Sequence, residues 1–231
     1  MDPQMVQYIR EGAVYLIALI LSICVHEFGH AFVADQLGDP LPRSQGRVTL
    51  NPISHIDFIG TLVLPVVAFA MSISDPAVGA KILGWGKPVQ ISLSPRAISR
   101  KITLKTAHLL IALAGPMMNL LFGLVLSILY VALVKLGGSA AFHFALPILY
   151  VIEMNIGLAF FNLIPCPPLD GGAILRGILP RAMERVSDVL EKWGVVLLFG
   201  LLMTGALAWF MLPAEWLSDR WLGLVTLVAR R

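Results

Sequence analysis

Charged residues are scarce in this chain of 231 residues: 13% are Asp, Glu, Lys or Arg, against 58% hydrophobic. A soluble domain does not carry that balance, and a mean hydropathy of +0.83 points to a polytopic membrane protein. Little polar sequence remains for a sizeable soluble domain beside the spans. Cysteine is equally scarce. Cys24 and Cys166 both lie in apolar segments, where a small core residue is the plainer reading and a metal-ligand role the lesser one. No basic stretch precedes the first apolar run, because residues 1–11 include Asp2 and Glu11; a cleaved signal peptide is not expected. There is no internal repeat and no low-complexity segment. The net charge of +3 is small, and no nucleic-acid partner is expected.

What is there starts with His26-Glu-Phe-Gly-His30, inside the apolar run from Gly12 to Ala34. On a helix, positions i and i+4 share a face, so His26 and His30 can hold one metal ion together. Glu27 sits beside the first of them, where a carboxylate can take a proton from a metal-activated water. Two imidazoles and a carboxylate are costly in a lipid-spanning helix, and such residues are functional by default.

The first span reads as Gly12 to about Ala34, stopped by Asp35, Gly38, Asp39 and Pro40. Within the polar stretch that follows, Arg47-Val-Thr-Leu-Asn51 alternates like a short strand. Phe58–Ile73 would make a helix of about 24 Å, short for a hydrocarbon core of about 30 Å, and Pro65 interrupts it. Gly84-Trp-Gly-Lys-Pro88, followed by alternating Val89, Ile91 and Leu93, reads as a turn and an interfacial strand. Ala107–Val134 and Ala140 to about Ile164 are two further spans. The second runs into Pro165-Cys-Pro-Pro-Leu-Asp170-Gly-Gly, which cannot continue a regular helix. Ile178–Trp193 has the spacing of an amphipathic surface helix, and Trp193–Leu212 reads as one more span. The tail from Trp216 is short and charged.

Catalytic zinc takes three protein ligands and keeps one position open. Glu153, Asp170 and Glu184 are the candidates for the third, Glu184 because Glu184-Arg-Val-Ser-Asp188 has the Glu-x-x-x-Asp spacing of another zinc-protease group. Depth favours Asp170. His26 lies roughly 21 Å along its helix, toward the C-terminal end, and Asp170 ends its own apolar run, whereas Glu153 sits mid-span. The two meet only if their spans cross in the same direction, which needs an odd number of crossings between them. Phe58–Ile73 is therefore expected to re-enter rather than cross. Of the 17 Lys and Arg, 12 fall in residues 35–106 and 165–192, which suits a cytoplasmic location for both stretches. His55, His108 and His143 read as interfacial or hydrogen-bonded histidines.

His26-Glu27-Phe-Gly-His30, Gly115-Pro-Met-Met-Asn119 and Asn162-Leu-Ile-Pro-Cys-Pro-Pro-Leu-Asp170-Gly171 together resemble the site-2 protease family of intramembrane zinc metalloproteases. The resemblance covers roughly residues 12–180. It implies one Zn2+ per chain on His26, His30 and Asp170, with Glu27 as general base. Asn119 and Asn162 match motif asparagines near the family's active site, giving substrate or oxyanion contacts or interhelical hydrogen bonds. It implies an active site toward the cytosolic face and a membrane-associated β-sheet, for which residues 46–51 and 84–93 are the candidates, with an edge that an unwound substrate could join. No room is left for inserted PDZ or nucleotide-sensing domains, so the chain looks like a compact prokaryotic form in the cell membrane.

The expectation is thus an all-α polytopic membrane protein with about five to six transmembrane helices, a re-entrant segment and a small sheet. It would be one membrane-embedded metalloprotease domain over 1–231, with the catalytic core at 12–180 and C-terminal spans in 193–229. The substrate would be a membrane protein with a transmembrane helix. Two other readings compete. One is a membrane zinc protease using Glu184, and the other is a non-enzymatic metal-binding or transport protein, for which an intact Glu27 has no use.

Overall fold

Apolar runs become helices here, and each ends where its sequence offers a stop. In the computed structural model, which describes residues 3–74, 84–93 and 102–230, α1 spans Pro3–Gln36. Gly38 closes it with a φ of 96°, and the Asp39 carboxylate then caps the short α2, Pro40–Ser44, through the Leu41 N–H. A 3-10 turn follows at Pro52–Ser54. A wide π-type turn at Phe58–Val63, capped by Asp57, then leads into α3, Leu64–Ser74. Thr103 caps α4, Leu104–Leu136, and α5 follows at Gly138–Asn162. After the Pro-rich break come α6 at Asp170–Ile178, α7 at Glu184–Thr204 and α8 at Leu207–Arg230.

The centre is the packed group α1, α4 and α5. Ser22, His26 and His30 meet Asn119, Asn119 and Ile111, so α1 and α4 are antiparallel. Asn119 meets Asn155, and Tyr130 clusters with Ala145, so α5 is antiparallel to α4 and parallel to α1. Small residues let these backbones close. Ala18, Ala31 and Ala34 on α1 are buried, as are Ala107, Ala112 and Ala114 on α4. The outward residues are large and apolar: Ile128 is 64% exposed, Leu146 75% and Trp209 76%. Water would not tolerate such a belt, whereas lipid does. At the far end from the histidines, Val225 and Ala229 of α8 pack on Tyr130 and Ala145.

Three helices are long and apolar enough to cross a membrane: α1, α4 and the Phe144–Asn162 part of α5. α7 and α8 qualify only as a pair bent by 76°, giving three candidate spans, or four, among the described residues, where five to six transmembrane helices are expected from the sequence. The C-terminal boundaries also differ from expectation. No helix stop exists at Trp193, and α7 runs through it to Thr204. The break falls instead at Gly205, whose φ of 75° is left-handed, and α8 continues through Trp216 to Arg230.

The expected β-sheet is absent among the described residues. Residues 84–93 are extended, but the chain beside them is not a strand. Residues 47–51 turn on themselves, with the Thr49 N–H on Arg47 O and the Asn51 N–H on Thr49 Oγ1. The extended segment therefore bonds a loop. Trp85 N–H donates to Gly60 O at 3.1 Å and Lys87 N–H to His55 O at 2.9 Å.

Candidate metal centre

His26 and His30 lie one turn apart on the buried face of α1, each within hydrogen-bond reach of α4. Asp170 is the first residue of α6, delivered by the break at residues 163–169. Glycines make the approach possible. A Cβ on Gly171 would collide with Ile164 O, one on Gly172 would lie 2.6 Å from Pro167 N, and one on Gly115 would lie 2.7 Å from His26 Cε1. A Cβ on Gly29 would sit 2.7 Å from Ala114 O, so the helix carrying the histidines touches α4 backbone to backbone.

Three atoms converge. His26 Nε2 and His30 Nε2 are 3.1 Å apart, and Asp170 Oδ2 lies 3.0 Å from the first and 3.3 Å from the second. The tautomers follow from the surroundings. His30 Nδ1–H donates to the Ile111 carbonyl at 2.7 Å. Asn119 Nδ2 faces the Ser22 carbonyl at 2.9 Å, so its Oδ1 must be the atom facing His26 Nδ1 at 2.7 Å, where it accepts that N–H. Both Nε2 atoms then carry lone pairs directed at each other and at a carboxylate oxygen that has no hydrogen-bond partner. One proton could serve one of these contacts. A divalent cation serves all three, and two imidazoles with a carboxylate are a donor set that could hold one with a position left open.

Behind His26 the polar chain continues. Asn119 Nδ2 donates to Asn155 Oδ1 at 2.7 Å, Asn155 Nδ2 to Ser22 Oγ at 2.8 Å and Val151 O at 2.8 Å, and Ser22 Oγ–H to Ala18 O at 2.7 Å. Every member has a carbonyl or a neighbour that fixes its orientation. Asn119, Asn155 and Ser22 are fully buried. Asn155 and Ser22 escape a reading that looks only for charge in the spans; uncharged polar residues on apolar helices are the signal that would have found them.

The other candidates lie elsewhere. Asn162 donates to Leu158 O in its own helix at 3.0 Å. Glu153 is exposed on α5 and is not part of the cluster, and the side chain of Glu184 falls outside the described residues. Glu27 is half-buried beside the cluster, and its Oε2 accepts the Val89 N–H at 3.1 Å. Near it lies His55, whose Nε2–H donates to Thr49 O at 2.8 Å. Burial pushes the His55 imidazole below its ordinary range, partly offset by that carbonyl. Burial also lowers the Arg47 guanidinium, and the charge of Glu27 opposes the shift.

A family model described as "Peptidase family M50" matches residues 14–148 and 131–203. The chain is similar to "Putative zinc metalloprotease YwhC" of Bacillus subtilis, at 33% identity over 82% of this chain and 80% of the relative. It is similar to "Putative zinc metalloprotease Rip2" of Mycolicibacterium smegmatis, at 31% over 87% and 71% respectively. With "Zinc metalloprotease MJ0392" of Methanocaldococcus jannaschii it shares 28% identity over 82% of this chain and 43% of that one. No solved structure matches the chain.

Proposed function

Because the chain belongs to peptidase family M50, the site-2 proteases, and is an intramembrane zinc metalloprotease, we propose that His26, His30 and Asp170 hold its one zinc ion and that Glu27 is its general base. The observation that carries this is the meeting of two imidazole lone pairs and an unpartnered carboxylate oxygen within 3.3 Å. Bound zinc supplies Lewis acidity, making a water more acidic and the scissile carbonyl more electrophilic. The chain's own residues do the rest. Glu27 accepts the proton of the attacking water and returns it to the leaving amine. Asn119 holds His26 with its Nε2 forward, and the Ile111 carbonyl does the same for His30. In this reading Asn119 acts through His26 rather than by touching substrate.

The substrate is a membrane protein cut within or near a transmembrane helix, which must unwind locally because helical amides are shielded by their own hydrogen bonds. The enzyme is multi-pass, with the site toward the cytoplasmic face of a prokaryotic cell membrane. The antiparallel pairing of α1 with α4 supports a limb at Phe58–Ser74 that enters and leaves on one side.

Zinc per mole of purified protein, compared among wild type, Asp170→Ala, Glu153→Ala and Glu184→Ala, tests the ligand set. Asp170→Ala alone loses or weakens the ion. Glu27→Gln keeps zinc and loses peptide hydrolysis. Zinc that survives Asp170→Ala and disappears in either glutamate variant refutes the assignment.

A further inference from the structure

Arg47 is buried, only 4% exposed, and has no carboxylate at ion-pair distance among the described residues. Withdrawing a guanidinium from water this far is costly unless its donors are satisfied. Carbonyls satisfy them. Nη1 donates to Ser54 O, and Nη2 donates to Lys87 O at 2.7 Å and Pro88 O at 2.8 Å. The last of these belongs to the peptide whose other end, the Val89 N–H, donates to Glu27 Oε2. One peptide group thus stands between the buried cation and the general base.

The rest of the extended segment is placed to hold that peptide still. It runs along α1 on the Leu19, Ile23 and Glu27 face. A Cβ on Gly84 would lie 3.4 Å from Leu19 Cδ2, and one on Gly86 would collide with Ile23 and lie 3.6 Å from Glu27 Cγ. On its other side the segment bonds Gly60 O and His55 O, and beyond Val89 the Ser92 N–H donates to Asp39 Oδ2 at 2.6 Å. Pro88 has no N–H to misdirect.

We propose that Arg47 is a positioning residue for the proteolytic reaction. Through the Pro88–Val89 peptide it fixes Oε2 of Glu27, so that Oε1 is presented to the substrate water. The inference rests on Glu27 being the general base. Arginine suits the task because its planar fork reaches three carbonyls at fixed angles, which a lysine ammonium cannot match.

The test uses the full-length zinc-loaded chain in detergent and, as probe, a fluorogenic apolar peptide with an internal Gly-Pro pair. Arg47→Met lowers kcat about ten- to a hundredfold, the usual effect of losing an orienting partner, with KM and zinc content within about twofold. Arg47→Lys recovers part of the loss. Val89→Pro deletes the donor and gives a similar loss, whereas Val89→Ala does not. The double variant is no worse than the worse single one, since both act along one path. Independently of activity, hydrogen exchange over residues 84–92 quickens in Arg47→Met while α1 stays protected. Wild-type kcat in Arg47→Met, losses that multiply in the double variant, or unchanged exchange overturns the proposal. If Val89→Pro does not fold, the exchange measurement decides. If wild type and Glu27→Gln cleave alike, it is the general-base reading that fails, and exchange still reports whether Arg47 holds the segment.

Discussion

A zinc-binding histidine is only as good as the group behind it. His26 relies on a side-chain amide, and that amide relies on Asn155 and the Ser22 carbonyl for its orientation. Asn119→Leu is expected to weaken zinc binding about ten- to a hundredfold, measured by competition with a chelator. Asn155→Leu should weaken it less, because the Ser22 carbonyl still orients Asn119. Equal zinc affinity in wild type and Asn119→Leu would count against the orienting role. The convergence of His26, His30 and Asp170 was legible in the sequence: His26, Glu27 and His30 stand out in an apolar run, and depth favoured Asp170. The residues that orient them were not. Asn155 and Ser22 look like ordinary polar residues that bond their own helix. Gly29 and Gly115 show their purpose only when two backbones are seen to touch.

Among the elements, α7 packs behind the Pro-rich break. Cys166 Sγ lies 3.3 Å from Gly194 O, and a side chain on Gly194 would strike Pro167 O. Gly194→Val is therefore expected to push the break outward and lower zinc affinity by about tenfold, the lower end of the effect of disturbing a ligand's support. Helix content by circular dichroism should stay unchanged. Unaltered zinc affinity in that variant would mean the break holds itself. This contact depends on α7 running unbroken through Trp193, which the sequence hid. A change from an amphipathic to an apolar face alters composition without altering backbone conformation, and only Gly205 supplies a real stop. The missing sheet has a related cause. The alternation of Val89, Ile91 and Leu93 specifies an extended chain, but a ladder also needs a partner, and residues 47–51 spend their backbone groups on local turns.

For the whole molecule, the relative direction of α1 and α5 could be reasoned from the sequence because a shared site at His26, His30 and Asp170 requires it, whereas the number of spans could not. Length and hydropathy do not say whether a bent pair such as α7 and α8 crosses once. Single cysteines at Ser44, Thr103 and Leu136, in a chain with Cys24 and Cys166 replaced by alanine, test the layout in sealed vesicles. An impermeant thiol reagent should reach the Ser44 and Thr103 positions from one face and the Leu136 position from the other. Ser44 and Thr103 labelled from opposite faces would make the Phe58–Ser74 limb a full crossing. The order of the ligands along the chain has a further consequence, for biogenesis. Both histidines and the helix that sets their tautomers are synthesised first, yet the carboxylate that completes the set arrives on α6, after α5 has been laid against them. On the proposed ligand set, a nascent chain halted anywhere before Asp170 lacks one of its three zinc ligands. On that ligand set, the proposed hydrolysis waits until α5 and the break that follows it have been synthesised.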